Sequence, residues 1–171
     1  MKIGIFGGTF NPVHQGHVHL AQQCVEELKL DKLLVIPTKQ PPHKQAQELA
    51  SGEHRAQMCR LAFAEIPQAQ VSEMELHREG KSYTADTLTQ LKQQFPQAQF
   101  YLIVGGDMFL TFHQWNRFEE ILQGAALCAA CRSQDELPKL QQAKGFLEQY
   151  SKNLIILKTR VLEISSTQVR A

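Results

Sequence analysis

The sequence lacks any long hydrophobic run. No apolar stretch approaches the roughly 20 residues that a membrane-spanning helix needs. Met1 and Lys2 lead directly into a short apolar segment, without the regions that make up a signal peptide. The sequence therefore argues against a membrane protein, and we expect a cytoplasmic one.

An excess of charge of one sign is also lacking. Lys and Arg number 18 and Asp and Glu 17, which gives a net charge of +1. Without a basic run, nucleic acid is not favoured as a partner. Positive side chains stand singly instead, as at Lys44, Arg132 and Arg170. This placement suits a small anionic ligand better than a polymer.

Cysteine is scarce, and its spacing does not predict a metal site. Cys128 and Cys131 form a CxxC pattern, but no second pair and no histidine cluster accompany it. The pair lies in an apolar run typical of a buried strand, where residues three apart face opposite sides. We therefore expect Cys24, Cys59, Cys128 and Cys131 to be buried free thiols.

The 171 residues, 43% of them hydrophobic, suit a single domain spanning residues 1–171. Apolar runs predict strands at residues 2–6, 32–37, 70–74, 100–104, 126–131 and 154–157. Helical periodicity predicts helices at residues 16–30, 53–66, 84–95, 109–122 and 135–150, and it leaves open a break near Gln114 in the fourth. Alternating strands and helices predict an α/β fold, a Rossmann-like doubly wound parallel sheet with helices on both faces. Ligands bind such sheets at the carboxyl ends of the strands.

The most informative motif is GGTFNPVHQGH, at residues 7–17, after the first predicted strand. Paired glycines let a ligand approach the backbone closely. The helix that follows directs unpaired N–H groups and the positive end of its dipole at the same loop, as in phosphate sites. His14 and His17, three residues apart at the helix entrance, can both face one bound anion. A glycine turn with two surface histidines is the alternative, and the intact motif favours function.

Two further motifs follow predicted strands and have structural alternatives. PPHK, at residues 41–44, is a proline-stiffened loop that presents Lys44 either to phosphate or to solvent. SYTADT, at residues 82–87, predicts a helix start with Thr84 as its N-cap. Capping does not prevent Tyr83 or Thr84 from also meeting a ligand.

The last two motifs lie nearer the C-terminus. GGDM, at residues 105–108, suits a ribose bound by Asp107, and Trp115 is either a core aromatic or a flat ring that stacks on a base. ISSTQVR, at residues 164–170, reads as an ordinary N-cap or as a second anion site with Arg170.

Together these motifs resemble bacterial nicotinate-mononucleotide adenylyltransferases, members of the HxGH nucleotidyltransferase superfamily. The resemblance extends from residue 7 to residue 170. It implies transfer of AMP from ATP to nicotinate mononucleotide, giving deamido-NAD and pyrophosphate, with Mg²⁺ carried on the ATP phosphates rather than in a protein-built site.

The resemblance also implies roles for individual residues. His14 and His17 would be catalytic, contacting the ATP phosphates. The other ATP contacts would be Gly8, Thr9, Phe10, Gly106, Asp107, Ser165, Ser166 and Arg170. The nicotinate mononucleotide contacts would be Lys44, Tyr83, Thr84, Trp115 and Arg132.

Two departures from the family pattern stand out. Asn11 replaces the usual aspartate, and we expect little loss because asparagine keeps the turn-forming geometry. The printed sequence ends at Ala171, where relatives continue into a helix, so we expect that helix to be absent. The alternatives left open are another acceptor, nicotinamide mononucleotide or phosphopantetheine, and a nucleotide-binding regulator without turnover.

Overall fold

The computed structural model describes residues 1–10, 12–38, 51–78, 83–131 and 135–157. Six strands form one sheet in which every pairing is parallel. They are β1 (Lys2–Gly8), β2 (Lys32–Pro37), β3 (Ala69–Val71), β4 (Gln99–Gly105), β5 (Ala126–Ala130) and β6 (Leu154–Leu157). The helices of the described part are α1 (Gln15–Leu28), α2 (Gly52–Ala62), α3 (Thr84–Gln94), α4 (Gly106–Leu110), α5 (Phe118–Gly124) and α6 (Leu137–Leu147), with a 3₁₀ turn at Phe112–Gln114.

The strand order is β3-β2-β1-β4-β5-β6, which confirms the predicted doubly wound α/β fold. The order reverses between β1 and β4, which are hydrogen-bonded neighbours with Ile3 opposite Phe100. On its other side β1 pairs with β2, as far as Gly8 opposite Pro37. The loops that leave β1 and β4 therefore flank the point where ligands bind this class of sheet.

Side chains alternate between two hydrophobic cores, one on each face of the sheet. In β2, Leu33 and Val35 belong to one core and Leu34 and Ile36 to the other. The first core, which we call the α1–α2 core, also holds Leu20, Ala21, Cys24, Val25 and Cys59. The second, the α3–α6 core, holds Leu88, Leu91, Phe109, Ile121, Leu122, Leu140 and Leu147. Both faces of the sheet are thus covered by helices, as predicted.

The cysteines agree with the sequence-based expectation. All four are buried, and none of them forms a disulfide. Cys128 lies in the α1–α2 core and Cys131 in the α3–α6 core, so the two sulfurs face opposite sides of the sheet.

Several predicted helix limits were wrong. The region predicted as a helix at residues 109–122 does break near Gln114, at the 3₁₀ turn between α4 and α5, but its first part begins earlier than predicted, at Gly106. The helix predicted to reach residue 66 ends at Ala62. Phe63 and Ile66 are buried and continue the apolar period, but they lie in a turn before Pro67.

Candidate active site

The two histidines of the first motif cap α1 with their own rings. His14 is the N-cap residue, and its Nδ1 accepts a hydrogen bond from the backbone N–H of Gly16 at 3.1 Å. The Nδ1 of His17 accepts from the backbone N–H of His14 at 3.0 Å. The prediction of unpaired N–H groups at this helix entrance was wrong for His14 and Gly16, whose N–H groups are hydrogen-bonded to imidazoles.

The two imidazoles are also stacked, with centroids 3.8 Å apart and planes inclined by 22°. Because backbone N–H groups donate to both Nδ1 atoms, each neutral ring carries its proton on Nε2. Two parallel rings thus each carry an Nε2–H donor at the helix entrance. A pair of donors this close suits the oxygens of one phosphate group or of neighbouring phosphates.

The Phe10 ring packs against the imidazole of His17. Its backbone is in the left-handed region, at φ 50°, and its side chain is only 3% exposed. The ring packs edge-on against His17, with centroids 5.0 Å apart, and lies 3.3 Å from where a Cβ on Gly8 would be. Since the ring is buried, any contact of Phe10 with a ligand would go through its backbone.

The β4 side of the site contains Gly106 and Asp107. Gly106 is buried as the first residue of α4, and Asp107 beside it is exposed. A Cβ on Gly106 would lie 3.1 Å from the Oε1 of Glu136, the residue that precedes α6. The Glu136 side chain therefore lies close to the Gly106 backbone, which favours glycine at this position independently of any ligand.

Tyr83 and Thr84 lie at the start of α3. The prediction that Thr84 is the N-cap was wrong: Tyr83 occupies that position without a side-chain cap, and Thr84 is the first helical residue. The first turn of α3 is stabilised by hydrogen bonds of the buried Thr87 hydroxyl, which donates to Glu75 at 2.7 Å and accepts from Arg78 at 3.0 Å. This network joins Glu75 and Arg78 to the first turn of α3.

Trp115 directly follows the 3₁₀ turn and lies between the two short helices α4 and α5. It is half-buried, and its ring packs on Phe112 at 4.8 Å between centroids. Arg117, two residues on, is in the left-handed region and donates to the carboxylate of Asp86 in the first turn of α3. This ion pair ties the segment of Trp115 to the helix that begins beside Tyr83.

Sequence reasoning missed Arg55, on α2. It is only 2% exposed, and its Nη1 donates to the carbonyls of Thr9 and Thr38. The available signal was a charged residue on the apolar stripe of α2, four residues before the buried Cys59.

The remaining predicted site residues lie outside the described residues. They are Lys44, Arg132, Ser165, Ser166 and Arg170, together with Asn11 of the first motif. Within the ranges that the structure does describe, no group of three or more His, Cys, Asp or Glu side chains could hold a metal ion. In the same ranges, no helix combines the length and the apolar character needed to cross a bilayer.

Comparisons with known proteins agree with this architecture. The cytidylyltransferase-like family model matches residues 5–171. A probable nicotinate-nucleotide adenylyltransferase of Lachnoclostridium phytofermentans is 40% identical over 170 residues, which is 99% of this chain and 85% of that protein. A relative of the same name from Carboxydothermus hydrogenoformans is 39% identical over 99% of this chain and 84% of its own. The chain thus belongs to the cytidylyltransferase-like family and, within it, to the nicotinate-nucleotide adenylyltransferases.

A solved structure shares the fold. Plasmodium falciparum nicotinic acid mononucleotide adenylyltransferase, complexed with NaAD, superposes with a TM-score of 0.77. The match covers 99% of this chain and 82% of that one at 19% sequence identity. At this identity the likeness speaks for the architecture of the sheet and its helices.

Proposed function

We propose that this protein transfers the AMP group of ATP to nicotinate mononucleotide, releasing pyrophosphate and forming deamido-NAD. The observation that carries the proposal is the stacked pair of His14 and His17 at the switch point of the sheet. The names of the 39–40% identical relatives support nicotinate mononucleotide as the acceptor.

The chemistry requires little from side chains. The phosphate of the acceptor is already an anionic nucleophile, so no general base is needed for it to attack the α-phosphorus of ATP. Catalysis then consists of alignment and of stabilising charge on the α-phosphate and the departing pyrophosphate. The Nε2–H groups of the histidine pair are donors suited to that charge.

Magnesium enters this proposal as part of the Mg·ATP substrate. Mg²⁺ prefers octahedral oxygen coordination and retains several waters, so it is commonly bound through substrate phosphates. We infer that Gly8, Thr9, Gly106 and Asp107 line the ATP side, with Asp107 accepting from the ribose hydroxyls. Ser165, Ser166 and Arg170 would hold the β- and γ-phosphates.

The acceptor would lie on the side of α3. We infer that Tyr83, Thr84 and Trp115 surround the nicotinate ring. Lys44 would lie near the phosphate of the mononucleotide, and Arg132 would be a further contact. The ion pair between Asp86 and Arg117 supports this grouping, because it joins the segment of Trp115 to the start of α3.

The decisive experiment is a pyrophosphate-release assay with Mg·ATP and three acceptors. These are nicotinate mononucleotide, nicotinamide mononucleotide and phosphopantetheine. We expect the highest kcat/KM with nicotinate mononucleotide. A higher value with another acceptor would overturn the acceptor assignment. Calorimetric binding of ATP without pyrophosphate release from any acceptor would instead indicate a regulator.

A further inference from the structure

Arg55 is a charged side chain buried at the carboxyl edge of the sheet. It lies on α2 with 2% of its surface exposed. Burial of a guanidinium is unfavourable unless its N–H groups are hydrogen-bonded. Its partners therefore indicate what its position achieves.

Two of those partners are backbone carbonyls that lie in different loops. The Nη1 of Arg55 donates to the Thr9 carbonyl at 2.9 Å and to the Thr38 carbonyl at 2.6 Å. Thr9 follows β1 and Thr38 follows β2, and Thr38 N–H also donates to the Gly8 carbonyl at 2.9 Å. Arg55 thus extends the connection between β1 and β2 past their last paired residues.

Thr9 directly precedes Phe10, the residue whose ring packs against His17. Phe10 adopts its left-handed conformation directly after Thr9, and its ring packs on His17. The Phe10 ring also packs edge-on against Phe63, at 6.4 Å between centroids, and Phe63 is the C-cap residue of the helix that carries Arg55. Helix α2 therefore holds this loop at two points, by a guanidinium and by an aromatic ring.

We propose that Arg55 is a positioning residue for nucleotidyl transfer, holding Thr9 and Phe10 so that His17 stays stacked on His14. The inference rests on the function proposed above. Arg55 acts through the loop, so its loss is expected to lower kcat, whereas a residue that only bound ATP would change mainly KM. Misplacement of a catalytic group by about 1 Å can cost about 10²-fold in rate.

The electrostatics are consistent with this role. Burial lowers the pKa of the Arg55 guanidinium. Arginine nevertheless remains charged at physiological pH. Charge-assisted hydrogen bonds to the two carbonyls are stronger than neutral ones, which suits a loop held in a strained conformation.

The test uses three variants of the full chain. Arg55→Met keeps the apolar stem and removes every donor. Arg55→Lys keeps a charged nitrogen, and since a single Nη1 makes both bonds, one ammonium can replace part of the contact. Arg60→Met is the matched control, because Arg60 lies on the same helix but is exposed and pairs with Glu73.

The measurements are kcat and KM by pyrophosphate release, the melting temperature, and the side-chain nitrogen NMR signals of His14 and His17. We expect Arg55→Met to lower kcat by about 10² with both KM values within a few-fold, and to shift the His17 signals. Arg55→Lys should recover part of the rate, and Arg60→Met should match wild type.

Wild-type kcat and unmoved histidine signals in folded Arg55→Met would overturn the proposal. A raised KM for ATP at unchanged kcat would overturn it too, in favour of direct binding. If Arg55→Met does not fold, the same readouts on Arg55→Lys decide. Should wild type itself lack turnover, the proposed function fails, while the histidine signals still test whether Arg55 positions the pair.

Discussion

The imidazole of His17 accepts the backbone N–H of His14, so one member of the histidine pair orients the other. His14 in turn uses its ring to cap α1 at Gly16. Each ring therefore has a structural contact through Nδ1 in addition to the chemistry proposed for Nε2. A useful substitution must separate these two contributions.

His14→Asn makes that separation. Asparagine is a good N-cap, so its side-chain oxygen replaces Nδ1 as acceptor for the Gly16 N–H. It lacks the second ring nitrogen that would reach a phosphate. We expect near-wild-type stability in urea unfolding and a kcat lowered by about 10²–10³, the usual cost of one lost donor to transition-state charge. His19→Ala, on the same helix, is the control and should retain full activity. A stable His14→Asn with normal kcat would remove His14 from the mechanism.

Trp115→Ala tests the acceptor side. A ring that stacks on a planar base contributes about 1–3 kcal/mol in nucleic-acid complexes. We therefore expect KM for nicotinate mononucleotide to rise at least several-fold, with KM for ATP little changed. Trp115→Phe keeps an aromatic face against Phe112 and should lose less. Equal effects on both substrates, with a lower melting temperature, would identify Trp115 as a core aromatic instead.

Gly106 can be examined with a double-mutant cycle. Alanine at this position would press on the carboxylate of Glu136. If this steric contact were the only effect of Gly106→Ala, adding Glu136→Ala would restore both the wild-type stability and the wild-type KM for ATP. We expect Gly106→Ala to raise KM for ATP in both backgrounds, and its stability loss to disappear in the Glu136→Ala background. Recovery of KM as well would show that ATP does not approach Gly106.

Lys29→Gly should stabilise the protein. Lys29 ends α1 at φ 55° and ψ 51°, the left-handed conformation that glycine adopts without steric cost. Relief of that cost is worth about 1 kcal/mol. We expect the free energy of unfolding to rise by about this amount in urea titrations, with unchanged kcat. Lys29→Ala, which removes the side chain but keeps the strain, should show no gain.

The buried thiols should be unreactive in the folded protein. Burial raises the pKa of Cys24, Cys59 and Cys128 to about 12. In the unfolded chain a thiol has a pKa of about 8.5. As pH rises from about 8.5 towards 12 the unfolded state ionises first, so these groups lower the stability in that window. We expect labelling by a disulfide reagent at pH 8 to follow global unfolding. Rapid labelling of these thiols before unfolding would contradict this.

The fold was largely predictable because buried parallel strands leave a simple signal. β2 and β6 have the limits predicted from their apolar runs, since each strand is covered on both faces. Helix ends were less predictable. The apolar period of α2 continues through Phe63 and Ile66 although the helix ends at Ala62, because a turn can bury the same side chains.

The candidate site was predictable where local sequence defines it. His14 and His17 lie three residues apart, so the helix itself brings them together. Arg55 contacts Thr9 across 46 residues and Thr38 across 17. Such a contact depends on the register of β1 with β2 and on the docking of α2, neither of which the spacing of residues reveals.

The sheet separates the interior into two compartments, and this has a kinetic consequence. Phe6, Phe10 and Phe63 support the histidine pair from the α1–α2 core, whereas Phe112 supports Trp115 from the α3–α6 core. The hydrogen-bonded backbone of the sheet lies between these two sets of side chains. Substitutions that create small cavities in the α1–α2 core should therefore lower kcat for nucleotidyl transfer. Those that create cavities in the α3–α6 core should raise KM for the acceptor. Core mutations far from the site would then have one of two kinetic phenotypes, depending on which face of the sheet the mutated side chain packs against.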